Sequence, residues 1–289
     1  MVAITNGVLT ARIRTLGAEL WSLGDAKGRE YMTDGDPAYW TGHAPLLFPI
    51  VGALNGGMYR LGGKEYALPK HGFARTSRFD VAERRPDGVR FELRDNEQSR
   101  AVYPFAFALA VEFALSGATL GVTATVRNAG DRAMPFSFGF HPAFAWPLPQ
   151  AGAKDAHRVI FAKDEPEPIR RIDPATATLL PQSEPTPVVG KVLAPRAALF
   201  EKDALIWDRL NSRALSFAGE GAALDIAFPD SPNLGIWQKP GAQFLAVEPW
   251  HGFNDPQRFD GDIFAKPGII ALPPGEEHSF RMDVTVRRG

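Results

Sequence analysis

Three short segments set ionisable side chains among apolar and aromatic neighbours: His71-Gly72-Phe73-Ala74-Arg75, Phe138-Gly139-Phe140-His141-Pro142-Ala143-Phe144 and Val247-Glu248-Pro249-Trp250-His251-Gly252. A polar group in such surroundings needs a partner or a ligand, because leaving one unpaired in an apolar medium costs roughly 2–7 kcal/mol. An imidazole and a carboxylate held together can deliver one proton and remove another across a small neutral molecule, each contributing typically about 10²- to 10⁴-fold to the rate. Either His71 or His141 could serve with Glu248. His141 and Glu248 each precede a proline, which biases their backbone towards extended conformations and suits groups fixed at strand ends. Trp237, Trp250, Phe73 and Phe144 offer large aromatic faces on which the apolar side of a ligand could rest.

Other chemistries lack their residue patterns. The chain contains no cysteine, which excludes a disulfide framework and thiolate catalysis and is compatible with a reducing compartment. Gly-rich dinucleotide loops, phosphate-binding loops, paired-histidine zinc helices and calcium loops are all missing. Pro135 stands where a nucleophile elbow around Ser137 would need glycine. No cofactor and no metal are expected, although His71, His141 and Glu248 have the composition of a two-histidine, one-carboxylate metal site. A carboxylate-pair glycosidase is disfavoured, since Glu248 has no second carboxylate in a comparable motif. The net charge of −1 supplies neither a footprint for nucleic acid nor a polybasic patch for a membrane. A neutral small molecule is the better partner. The first seven residues show no basic stretch leading into an apolar run, so no signal peptide is expected. The apolar stretch 44–54 is far short of a membrane span and contains Pro45 and Pro49. These features point to a cytoplasmic protein.

The elements that must position these groups read as strands. Residues 109–113 are short and apolar, Ser116-Gly117 offers a turn, and 120–127 alternates valine with threonine before Asn128, which together make a hairpin. Similar runs occur at 8–15, 88–93, 214–217, 222–228, 243–247 and 278–286, separated by Gly, Pro, Asn and Asp. With 28 glycines, 25 prolines and little helical periodicity, the chain is expected to be all-β, a large antiparallel β-sandwich. Helix should be confined to short segments such as 196–202, which Pro195 could start. The Pro-rich, Ala-rich and acidic stretch 147–195 reads as an exposed excursion from one domain spanning residues 1–289. Edge strands could pair two copies, so a monomer or a homodimer is expected.

In this order the three segments resemble the aldose 1-epimerase (galactose mutarotase-like) superfamily, most closely its less characterised bacterial branch. The resemblance runs from Leu47-Phe48-Pro49-Ile50-Val51-Gly52 through the turn at Asn128 to the Glu248 segment. It implies a β-supersandwich fold and interconversion of the α and β anomers of an aldose. It also implies that His141 is the general acid towards the ring oxygen, Glu248 the base towards the anomeric hydroxyl, and His71 a sugar-binding group that stabilises charge. Removing the O1 proton while protonating O5 opens the hemiacetal, C1 rotates, and reclosure on the other face swaps the anomer without a cofactor or metal. The family's sugar-site aspartate corresponds to Asp203, with Asp208 as its competitor, and Trp237 and Trp250 become candidate walls for the sugar. Ala53 stands where relatives often carry an arginine. Arg75 is expected to compensate for it, and a carbohydrate-binding or sensing protein without turnover is the alternative that Ala53 motivates. Lys70, Arg75 and Arg78 lie near the His71 segment and could meet a phosphate, whereas the His141 and Glu248 segments contain no Lys or Arg. His43, His157, His251 and His278 are expected to be structural or at the surface.

Overall fold

A computed structural model of the chain describes residues 1–288. The hairpin comes from strict alternation. In Thr119–Asn128 the residues Leu120, Val122, Ala124 and Val126 point inward, while the threonines and Arg127 between them face outward, the period-two pattern of a half-buried strand. It pairs with Phe107–Ser116 on one side and Glu277–Arg288 on the other, all antiparallel. These form the centre of a nine-stranded sheet whose remaining strands are Gly88–Arg94 and Asp80–Arg85 towards one edge, and Ala222–Ala227, Ala214–Gly219, Arg158–Phe161 and Val192–Leu193 towards the other.

An eight-stranded antiparallel sheet lies against it. Its strands, numbered in chain order, are β1 (Leu46–Leu47), β2 (Phe138–Phe140), β3 (Ala143–Ala145), β4 (Ile169–Ile172), β5 (Leu179–Glu184), β6 (Leu205–Trp207), β7 (Asn233–Trp237) and β8 (Phe244–His251). Their spatial order is β5-β4-β6-β7-β8-β2-β1, with β3 also pairing with β8. Aromatic rings join the two sheets: Phe138 stacks on Phe280 at 4.9 Å between centroids, and Phe161 meets Trp207 at 5.7 Å. Offset and tilted contacts of this kind add about 0.5–1.5 kcal/mol beyond the area they bury. The result is an all-β antiparallel sandwich. No helix among the described residues is long and apolar enough to cross a membrane.

Two expectations are corrected. The stretch 147–195 is not an exposed excursion, because it supplies β4 and β5 to one sheet, Arg158–Phe161 and Val192–Leu193 to the other, and the buried residues Leu148, Val159, Phe161, Ile169 and Leu193 to the core. The expected helix at 196–202 is a single 3₁₀ turn, Ala197–Phe200. The α-helix among the described residues is Glu97–Val102 instead. It starts where Asn96 accepts the Ser99 N–H and the Ser99 hydroxyl accepts the Asn96 N–H, a reciprocal cap that satisfies two otherwise orphaned donors.

Candidate functional site

Strand β8 is buried over almost its whole length because both of its faces are used. Leu245 and Val247 enter the core between the sheets, so Ala246, Glu248 and Trp250 point to the opposite face. Gly235 of β7 lies opposite Glu248, and Gly139 of β2 lies opposite Trp250. A Cβ added at Gly139 would stand 2.5 Å from one end of the Trp250 indole, and one at Gly235 would stand 2.5 Å from the other. The two glycines thus leave the space that the indole fills, and the ring lies flat along the sheet beside the Glu248 carboxyl.

Glu248 sits inside β8 rather than at a strand end, although Pro249 follows it. The N–H of Val247 donates to Pro142 O, and Pro249, two residues on, turns its donorless nitrogen to the same side. On that side the chain steps from β2 to β3, so no ladder bond is lost. His141 occupies this step. Its Nε2 comes within 3.1 Å of Glu248 Oε2, and its ring is covered by Trp40 at 5.0 Å and edged by Trp237 at 6.0 Å.

His71 meets the pair from the other side, its ring 5.9 Å from that of His141 and perpendicular to it. Both His71 and Gly72 have positive φ, 68° and 70°, a conformation that costs a side-chain-bearing residue about 1–3 kcal/mol and persists only where its surroundings over-determine it. Here they do. The N–H of His71 donates to Gly52 O, the Gly52 N–H donates back to His71 Nδ1 at 3.0 Å, and Phe73 and Ala74 N–H both donate to Phe48 O. With Nδ1 an acceptor, the ring proton of neutral His71 is on Nε2.

Asp203 is also held at positive φ, 67°. Arg171 Nη1 donates to the carbonyls of Leu199, Asp203 and Ala204 and fixes that turn. Asp208 is engaged elsewhere, 2.9 Å from Arg170, so Asp203 is the aspartate at the site. It joins His71, Arg75, His141, Glu248, Trp237 and Trp250 around one cavity of about 140 Å³. Larger depressions of about 280, 330 and 700 Å³ lie elsewhere, and none of these three gathers a histidine.

Several other expectations need correction. Phe144 is fully buried in the main core, and Phe73 packs on Phe48, Tyr103 and Phe107, so neither offers a face to the cavity. Ala53 is buried outside the cavity lining, with its carbonyl accepting the Asp255 N–H. Arg78 does not line the cavity either. His43 is buried against Trp21 and His157 accepts the Leu148 N–H, both structural arrangements. The cavity also uses Trp40 and Asn254, for which the sequence motifs give no sign, and Lys70, which the sequence places only beside the His71 motif. Trp40 lies in a loop rich in Gly, Pro and Asp, and that unusual setting for an indole was the available signal. Among the described residues no three His, Cys, Asp or Glu side chains, those of His71, His141 and Glu248 included, are placed together to hold an ion.

Burial governs the electrostatics. It pushes the Glu248 carboxyl well above its ordinary range, with Asp203 adding to the effect and Lys70 opposing it. It pushes His141 down to about 3, helped by the positive charges of Lys70 and Arg75, and holds His71 well below 6.5 for the same reasons. Burial thus disfavours the charged form of each group, and the carboxyl and imidazole in contact titrate as a coupled pair.

The sequence and fold have clear relatives. The aldose 1-epimerase family profile matches residues 1–285. The chromosomal LacX protein of Lactococcus lactis subsp. lactis is 31% identical over 296 residues, covering 99% of each chain. A galactose mutarotase-like protein from Lactobacillus casei superposes with a TM-score of 0.92 at 32% identity, covering 99% of this chain and 100% of that one. A galactose mutarotase related enzyme from Lactobacillus acidophilus gives a TM-score of 0.89 at 32% identity, covering 99% and 97%.

Proposed function

Since this chain belongs to the aldose 1-epimerase family, we propose that it interconverts the α and β anomers of an aldose, with His141 and Glu248 carrying the protons. The observation that carries this reading is the 3.1 Å approach of the buried His141 Nε2 to the buried Glu248 Oε2 in an indole-lined cavity. At about 140 Å³ that cavity is well below the roughly 300–1,000 Å³ of drug-sized pockets, which suits one sugar ring.

A sugar whose O1 and O5 come between the two groups replaces their mutual contact. Its hydroxyls solvate the ionised form of the pair, imidazolium and carboxylate, which has the same net charge as the carboxylic acid and neutral imidazole that burial favours. Glu248 then takes the O1 proton while His141 gives its proton to O5, and the C1–O5 bond breaks to leave the aldehyde. This step returns the pair to carboxylic acid and neutral imidazole, the form that a desolvated site favours. After rotation about the C1–C2 bond, O5 attacks the other face of C1, His141 recovers the proton from O5 and Glu248 returns one to O1. Protons balance over the cycle.

The surrounding groups hold the ring. His71, kept neutral with its proton on Nε2, is a hydrogen-bond donor to a sugar oxygen rather than a competing acid. Asp203 accepts from sugar hydroxyls, and Trp40, Trp237 and Trp250 face its C–H surfaces. The test is the rate at which fresh α-glucose and α-galactose reach anomeric equilibrium, followed by polarimetry. Glu248→Gln and His141→Asn should each lose about 10²-fold or more of the acceleration. Undiminished acceleration in both variants would sink this assignment.

A further inference from the structure

Lys70 and Arg75 border the cavity as cations without an acidic partner. Among the described residues neither forms an ion pair, whereas Arg85, Arg170, Arg171 and Lys266 each have a carboxylate within reach. Asp203 shares the cavity, but its Oδ1 accepts the Ala204 N–H and it pairs with neither cation. Burial disfavours the charged forms of His141 and Glu248, so two cations stand against the single aspartate Asp203 at this cavity. Their positions are built in. They flank His71 on a strapped turn in which Gly72 N–H donates to Pro69 O and Thr76 N–H donates to Phe73 O. Exposure grades along the cavity, with Lys70 exposed, Arg75 half-buried, and His141 and Glu248 buried. The reacting carbon is therefore at the bottom and the cations at the rim.

We propose that the preferred substrate is an aldose bearing an anionic group remote from C1, a phosphate ester ahead of a carboxylate, gripped by Lys70 and Arg75 at the rim. This rests on the anomer-exchange reading of the same cavity. A phosphate monoester carries about −1.5 to −2 charge at neutral pH with three strong acceptor oxygens, which matches two separate cationic donors better than a single carboxylate does. Binding it has a second effect. The charges of Lys70 and Arg75 help hold His141 below its ordinary range, and an anion seated on them cancels that influence, so the substrate itself makes His141 a better proton carrier. A neutral hexose leaves the influence in place.

Anomer exchange measured by NMR for glucose and galactose, their 6-phosphates, and the corresponding hexuronates tests this. In the wild type, kcat/KM for the 6-phosphates should exceed that for the neutral sugars by about tenfold or more, and Lys70→Gln and Arg75→Gln should each shrink that ratio several-fold. Arg78→Gln, outside the cavity, should leave the ratio unchanged. Highest activity on the hexuronates would keep the anion site and replace the phosphate ester by a carboxylate. Equal kcat/KM for neutral and anionic sugars would overturn the inference while leaving anomer exchange intact. If no sugar is turned over, the anomer-exchange reading fails, and calorimetry with 1,5-anhydroglucitol and its 6-phosphate, which cannot open, decides the anion site: tighter binding of the phosphate supports it and equal binding overturns it.

Discussion

On the proposed mechanism Glu248 and His141 set the pH behaviour of the site, because the pair can work only while it holds one titrating proton. Acid adds a second proton to the imidazole, which burial has pushed down to about 3. Base removes the proton from the carboxyl, which burial has pushed up. The rate of anomer exchange should therefore hold steady from neutral pH well down into the acid range and fall on the alkaline side, as coupled groups with separated apparent pKa values require. A profile of kcat/KM against pH checks this. An acid limb near 6.5, the value of an unperturbed histidine, would mean that His141 is not the buried partner described above.

At the scale of elements, two features hold the floor and one wall of the cavity. The glycines opposite β8 make room for the Trp250 indole, so Gly235→Ala or Gly139→Ala drives a methyl into it. Overpacking of this kind costs about 1–3 kcal/mol, and urea denaturation should show that loss together with slower anomer exchange. Trp250→Phe in the Gly235→Ala background should recover part of the stability. An unchanged urea midpoint in Gly235→Ala would refute this account of the floor. The segment carrying Asn254 is held from behind by Lys266, whose Nζ donates to Phe253 O and lies 2.7 Å from Asp255 Oδ1, with both side chains almost wholly buried. Lys266→Met removes the ion-pair partner of the buried Asp255, for which the expected loss is about 3–5 kcal/mol. Stability close to wild type by the same measurement would count against it.

Across the whole molecule, acid should weaken the fold from near neutrality downward. His43, His71 and His141 are neutral in the folded protein, with their folded pKa values below 6.5, so between 6.5 and those values the unfolded chain binds more protons and stability rises with pH. His157 and His251 act in the same direction. Glu248 opposes them: its folded pKa is raised, so its contribution is complete below about 4.5 and is lost as pH rises through the folded value. Five histidines outweigh one carboxyl. The melting temperature should fall between pH 7 and pH 4.5, and a constant or rising one would show that these histidines are not buried in the neutral form.

Much of this protein is legible in its sequence wherever the information is local. The hairpin of Phe107–Ser116 and Thr119–Asn128 can be read because ten-residue strands with one wet face leave a long period-two pattern. The three polar-in-apolar segments announce themselves because charged and imidazole groups are costly among aromatics. The strands within 147–195 escape notice because they run only two to six residues in a proline-rich stretch, with Pro181 inside one of them, too short to show a period. Tertiary structure alone decided which histidine meets Glu248. His141 reaches it from the step between two strands on β8's flank, while His71 spends Nδ1 on the Gly52 N–H. It likewise separated Asp203 from Asp208, and the Trp250 wall from the Phe144 core. The physical reason is the same in each case. An aromatic ring or a carboxylate has the same local neighbours in sequence whether it faces the core or a cavity, and only the packing of segments that are not neighbours in sequence settles which.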